Sequence, residues 1–292
     1  MPSANNTNSA RRFGTAPVFI TAISTILGAI LFLRFGYAVG TIGFMGSLLL
    51  IILGHLITVP TALAISELST NTRVEGGGEY FIISRSFGLN IGATIGIALF
   101  LSQAISIAFY IIAFTETFQM FFEWVSSQYG MELPRQVISI PVLLILAVLI
   151  LKKGANLGVG MLYGVAGILF LSLLLFFLGS GEPELNAGSH FSSNFGFSNR
   201  DAFFTVFAIC FPAFTGMTAG VGLSGDLKQP GKSLPLGTMG ATIAGMLVYV
   251  LVIWKMAASA STETLLTNQL VMTQIAIGGG IFVLLGLAAS TL

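Results

Sequence analysis

Two short strings combine helix-breaking residues with groups that can hold ions. They are Ser24-Thr25-Ile26-Leu27-Gly28 and Cys210-Phe211-Pro212-Ala213-Phe214-Thr215-Gly216, each inside an otherwise apolar run. Proline removes a backbone donor and clashes with the carbonyl four residues back, and glycine loses more backbone freedom in a helix than any other residue. A helix broken there releases carbonyls, as at Ile26 and Pro212, which are hard oxygen ligands for a cation stripped of water. The half-helix that resumes after a break offers free N–H groups and about half a positive elementary charge. Gly28-Ala29-Ile30 and Gly216-Met217-Thr218 stand at those resumptions, so the backbone itself would receive an anion. A plainer reading has Gly28 and Gly216 serving close helix packing, as in the small-xxx-small pair Gly216 and Gly220. The two readings are compatible.

Other chemistry is sparse. The one cysteine, Cys210, excludes an intrachain disulfide and a thiolate zinc site, and His55 and His190 fit no metal motif. The Gly76-Gly77-Gly78 run lacks the Gly-Lys-Ser/Thr ending of a phosphate loop and follows no strand, so nucleotide binding is rejected in favour of a hinge or inner-gate contact. No paired Asp, Ser/Lys or His/Glu constellation lies within an apolar run, which speaks against an enzyme. No cofactor is expected.

The elements that position the two strings follow from composition. Of 292 residues, 55% are hydrophobic and 8% charged, and mean hydropathy is +0.94. A soluble surface needs more polar cover than that, so the surrounding solvent is the lipid bilayer and the fold is an all-α membrane protein. A net charge of +1 gives no field for nucleic acid. Eight stretches approach spanning length: roughly 15–36, 43–65, 91–119, 137–151, 157–179, 202–223, 237–258 and 270–292. Residues 1–12 read as a disordered cytoplasmic tail, with a transporter-type membrane domain over 13–292. With the N-terminus inside, the inner loops carry Arg11, Arg12, Arg73, Arg85, Lys152, Lys153, Lys228 and Lys232, against Arg34, Arg135, Arg200 and Lys255 outside. That asymmetry obeys the positive-inside rule.

The broken strings fall in spans 1 and 6. Five spans separate them, so the second would enter the membrane from the opposite side. Interrupted helices at matching positions of two halves point to an inverted-repeat site, here a first repeat over about 13–180 and a partial second over about 200–292. Arg34 and Glu116 lie near the outer ends of spans 1 and 3. They suit an ion pair that forms an outer gate, or two separate charges reaching for interfacial water.

Several strings resemble one family. Gly28 through Gly40, the Gly-rich loop Glu75 through Gly88, Ala108 through Thr117, Phe211 through Thr218 and, most specifically, Ser224-Gly225-Asp226-Leu227-Lys228-Gln229-Pro230-Gly231-Lys232-Ser233-Leu234-Pro235-Leu236-Gly237-Thr238 are similar to the cation–chloride cotransporters of the amino acid–polyamine–organocation superfamily. The resemblance implies the LeuT-type five-plus-five inverted-repeat fold, broken at helices 1 and 6. It implies potassium at Ile26, Tyr110, Pro212 and Thr215, and chloride at Gly28, Ala29, Ile30, Gly216, Met217 and Thr218. The family carries Asn before the isoleucine where this chain has Thr25, so a hydroxyl or backbone carbonyl replaces an amide oxygen in that ligand set. From spacing alone, Tyr110 would read as a packed aromatic.

The expected function is therefore a secondary active symporter of chloride with potassium, sodium or both, in the plasma membrane, with a homodimer left open. The alternative is an amino acid or polyamine permease of the same fold. Because the apolar run ends at Leu292 with no polar flank, the chain reads as a C-terminally truncated member of prokaryotic type.

Overall fold

The computed structural model describes residues 13–71, 77–153, 155–180, 187–278 and 280–291. The tail 1–12 and part of the Gly-rich loop, Glu75 and Gly76, lie outside the described residues. Helices follow one another in the order α1 (Thr15–Ile26), α2 (Ala29–Asn71), α3 (Gly78–Phe87), α4 (Leu89–Glu116), α5 (Gln119–Tyr129), α6 (Gln136–Lys153), α7 (Ala155–Leu178), α8 (Ala187–Asn194) and α9 (Phe203–Cys210). A 3-10 segment, Phe211–Asp226, then leads to α10 (Pro230–Ser259), α11 (Thr262–Thr267), α12 (Val271–Ile275) and α13 (Ile281–Thr291). The fold is all-α; where the sequence suggests eight spans, five helices among the described residues are long and apolar enough to cross a membrane, and Thr15–Ile26, Gln136–Leu149 and Ile281–Thr291 are shorter apolar helices.

Span 1 is two pieces, α1 and the first part of α2, divided at Leu27-Gly28. A Cβ on Gly28 would stand 2.9 Å from the Thr25 carbonyl oxygen, so this tight break requires glycine. Spans 1 and 2 meet at Gly43, whose φ of 74° and ψ of 174° interrupt the helix. A Cβ there would come 1.9 Å from the Gly196 carbonyl oxygen. Segment 195–198 bonds across this point, with Met45 N–H donating to Phe195 O at 3.1 Å and Ser198 N–H to Ile42 O at 3.2 Å.

Two spans differ from expectation. The last, expected as one helix over 270–292, is interrupted between α12 and α13, where Gly278 and Gly280 take φ of 89° and 77°. Span 6 resumes after its break as 3-10 helix rather than α-helix. A 3-10 helix rises about 2.0 Å per residue against about 1.5 Å, so these 16 residues cover about 32 Å.

The main core gathers Ala22, Ile23, Ile26 and Leu27 of α1, Phe32 and Phe35 of α2, Phe214 of the 3-10 segment and Tyr249 and Ile253 of α10. A second cluster joins Val18, Ile65, Ile82, Val221, Leu227 and Leu234. There the chain ahead of α1 clasps the chain after the 3-10 segment: Phe13 N–H donates to Asp226 O at 3.1 Å, and Lys228 N–H to Phe13 O at 2.9 Å. By contrast α4 leaves Ile97, Phe100, Leu101 and Ile105 uncovered. An apolar exposed face suits lipid rather than water.

Asn194 ties off the C-terminal end of α10. Its side-chain amide donates to Ala257 O at 3.2 Å and Ala260 O at 3.0 Å, and its oxygen accepts from the Thr262 hydroxyl at 2.6 Å. These bonds satisfy carbonyls that the helix end leaves without partners.

Candidate functional site

The two broken elements touch at their breaks. A Cβ on Gly216 would lie 2.7 Å from Ile26 N and 2.8 Å from the Thr25 carbonyl carbon, so only glycine admits this approach. A Cβ on Gly245 of α10 would lie 2.6 Å from Ile26 Cγ2, which brings a third element against the same point.

Beside the contact lies a small cavity of about 10 Å³, lined by Thr25, Ile26, Gly28, Ala29, Ile30, Tyr110, Pro212 and Ala213. A volume of that order holds about one water-sized sphere, far below the roughly 300–1,000 Å³ of small-molecule pockets, so the cavity suits a monatomic ion. Four of the five expected cation ligands, Thr25, Ile26, Tyr110 and Pro212, meet here. So do Gly28, Ala29 and Ile30, the first group of expected anion ligands. Two come from α1, Gly28 from the break itself, two from the start of α2, one from α4 and two from the 3-10 segment.

Thr215 is not among the lining residues. Its hydroxyl donates to the Pro212 carbonyl at 2.7 Å, so it reaches the cavity through that oxygen. The Thr25 hydroxyl donates to Thr21 O at 2.8 Å, one turn back in its own helix. A hydroxyl that gives its proton away keeps lone pairs for a cation. Thr218 donates to Thr215 O at 3.4 Å.

Gly216, Met217 and Thr218 do not open a half-helix. They lie in the middle of the 3-10 stretch Phe211–Asp226, where 3-10 bonding continues through them. Gly216 and Met217 are buried. The packing role of Gly216 is visible in its contacts with Thr25 and Ile26.

The sequence reading missed Tyr249. It is fully buried on α10, and its hydroxyl donates to the Ile26 carbonyl at 2.5 Å. Its ring packs on Phe35, with centroids 4.6 Å apart, and edge-on to Phe214 at 5.1 Å. One signal was available: a tyrosine in the middle of an apolar span must find a partner for its hydroxyl.

Glu116, at the end of α4, forms an ion pair with Arg135, not with Arg34. Arg135 immediately precedes α6, and the connection from α5 brings it back to the end of α4. It is 57% exposed against 19% for Glu116, so this pair sits near the surface where α4 ends and α6 begins. Arg34 is partly buried on α2.

The sequence pattern of the family described as amino acid permease matches residues 17–288. The chain belongs to this family. Within it, relatives carry the name solute carrier family 12. Member 1 from Mus musculus is 34% identical over 251 residues, covering 80% of this chain and 22% of its own length. Member 2 from Homo sapiens is 34% identical over 249 residues, covering 80% and 20%. Member 8 from Homo sapiens is 32% identical over 303 residues, covering 96% and 40%. The chain thus spans between about a fifth and two fifths of these relatives. This amino acid permease family member is a multi-pass membrane protein, and the solute carrier names of its relatives accord with the motif resemblance to cation–chloride cotransporters.

Proposed function

We propose that the chain forms the ion-binding part of a cation–chloride symporter that works by alternating access. One observation carries this reading: a single small cavity at the touching helix breaks brings together oxygen donors and the amide-rich start of α2. Potassium would sit among Ile26, Tyr110 and Pro212, with Thr25 and Thr215 contributing hydroxyls. Chloride would take the N–H groups at Gly28, Ala29 and Ile30. Sodium is a further candidate cation. Electrostatic attraction between a bound cation and anion would favour their moving together.

On this reading residues 13–180 form a first repeat and 200–292 part of an inverted second. The N-terminus would face the cytoplasm, an orientation that the lysine and arginine distribution supports, and the membrane would be the plasma membrane. The Arg34–Glu116 gate is one arm of an exchange: Glu116 rests on Arg135 in the present conformation and swings to Arg34 when the outer path closes. A homodimer fits the family resemblance. The second reading, an amino acid or polyamine permease, takes support from the family description, while the size of the cavity favours ions.

The deciding experiment measures rubidium uptake with and without chloride, alongside uptake of labelled amino acids and polyamines. Chloride-dependent rubidium uptake is expected. Amino acid or polyamine uptake without it would install the second reading.

A further inference from the structure

We infer that Tyr249 is a positioning residue that sets the cation selectivity of the cavity through the Ile26 carbonyl; this rests on the cation site proposed above. Ile26 ends α1, and the break at Leu27-Gly28 releases its carbonyl from helical bonding. Ile26 lines the cavity, and its carbonyl oxygen accepts the Tyr249 hydroxyl at 2.5 Å. A carbonyl oxygen has two lone pairs, so one serves Tyr249 and the other faces a bound cation.

The tyrosine is held for this task from three sides. Gly245, one turn earlier on α10, lets that helix approach Ile26 more closely than any larger residue would. Phe35 of α2 packs on one side of the ring at 4.6 Å. Phe214 of the 3-10 segment meets it edge-on at 5.1 Å. Each broken element thus contributes an aromatic that fixes the ring, and the buried hydroxyl has Ile26 O as its acceptor.

The consequence for selectivity is electrostatic. A hydroxyl donated to a carbonyl draws electron density from the oxygen and lowers the field it presents to an ion. Selection among alkali cations depends on the number and field strength of such oxygens. A weaker field favours a large, loosely hydrated cation over sodium. Tyr249 therefore biases the site toward potassium and rubidium without touching the ion.

The test reconstitutes the intact protein in vesicles and measures chloride-dependent rubidium uptake in competition with sodium. Y249F deletes only the hydroxyl, and its rubidium-over-sodium preference is expected to fall about threefold to tenfold, the worth of one hydrogen bond, through KM rather than maximal rate. Replacing Tyr249 with 3-fluorotyrosine strengthens the donor and is expected to move the preference the other way. That arm decides alone if Y249F does not fold. A merely structural tyrosine would lower the maximal rate or thermal stability and leave the preference within twofold of wild type in both variants. That result overturns the inference and leaves the proposed function standing. A wild-type protein that moves no rubidium overturns both.

Discussion

Replacing Gly216 with alanine tests the contact on which the site depends. The added Cβ would stand 2.7 Å from Ile26 N, 2.8 Å from the Thr25 carbonyl carbon and 2.9 Å from Thr25 Cγ2. Two of these three are backbone atoms, which cannot rotate away. To reach ordinary contact at 3.4 Å, the two breaks must part by about 0.7 Å. Overpacking of this kind costs about 1–3 kcal/mol. The larger effect should be functional, because misplacing binding groups by about 1 Å can cost about a hundredfold. Thr25 and Ile26 line the cavity on one side of the contact, and Pro212 lies four residues before Gly216 on the other. G216A is therefore expected to raise the apparent KM for rubidium at least tenfold in chloride-dependent uptake, with the protein still inserted and folded. Gly222, on the same 3-10 segment, is the control, since a Cβ there meets nothing within 4 Å. G222A should transport as wild type. Wild-type KM in G216A, or equal damage in G222A, would refute the claim that the touching breaks shape the site.

Two further outcomes are expected. Charge reversal at Arg135 or at Glu116 should each impair transport, and the double swap should restore part of it, because the two side chains pair where α4 ends and α6 begins; full activity in both single reversals would remove any role for the pair. N194A should lower the midpoint of thermal unfolding in detergent by several degrees, because it strips two buried carbonyls and the Thr262 hydroxyl of their partner, at about 1–3 kcal/mol; an unchanged midpoint would mean that water replaces the amide.

The sequence disclosed the membrane class and the breaks because both are dictated locally. Pro212, Gly28 and Gly216 weaken a helix wherever it packs, and hydropathy over 20 residues needs no tertiary information. It also disclosed most of the cavity, since Ile26, Gly28, Ala29 and Ile30 follow one another along a single break. Tyr249 stayed hidden because its importance comes from a partner 223 residues away. The Glu116–Arg135 pair stayed hidden because Arg135 reaches Glu116 only once the α5 connection has folded back. The interruption before α13 was visible in Gly278 and Gly280, yet the apolar run around them outweighed it. The 3-10 form of the second part of span 6 has no local signature in Phe211–Asp226, whose residues are compatible with an α-helix after Pro212.

The geometry of the first break bears on how two ions could be coupled without formal charges in the cavity. α1 ends at Ile26 and α2 begins at Ala29. A helix C-terminus carries about half a negative elementary charge and a helix N-terminus about half a positive one. One break therefore presents both signs within three residues, the carbonyl end toward a cation and the amide end toward an anion. Neither end alone compensates a whole charge, so either ion bound singly is left partly unneutralised. A cation and a chloride about 5 Å apart at an effective dielectric constant of about 20 gain about 3 kcal/mol from each other. By linkage, each then raises the affinity for the other by roughly a hundredfold or more. A site that holds each ion weakly and the pair well favours the loaded pair as the species that crosses, and it releases the second ion readily once the first has left. A formal charge in the cavity would bind one ion tightly on its own and weaken that coupling. This follows if Gly28-Ala29-Ile30 and Ile26 hold opposite ions at once, and binding that is additive rather than cooperative between rubidium and chloride would contradict it.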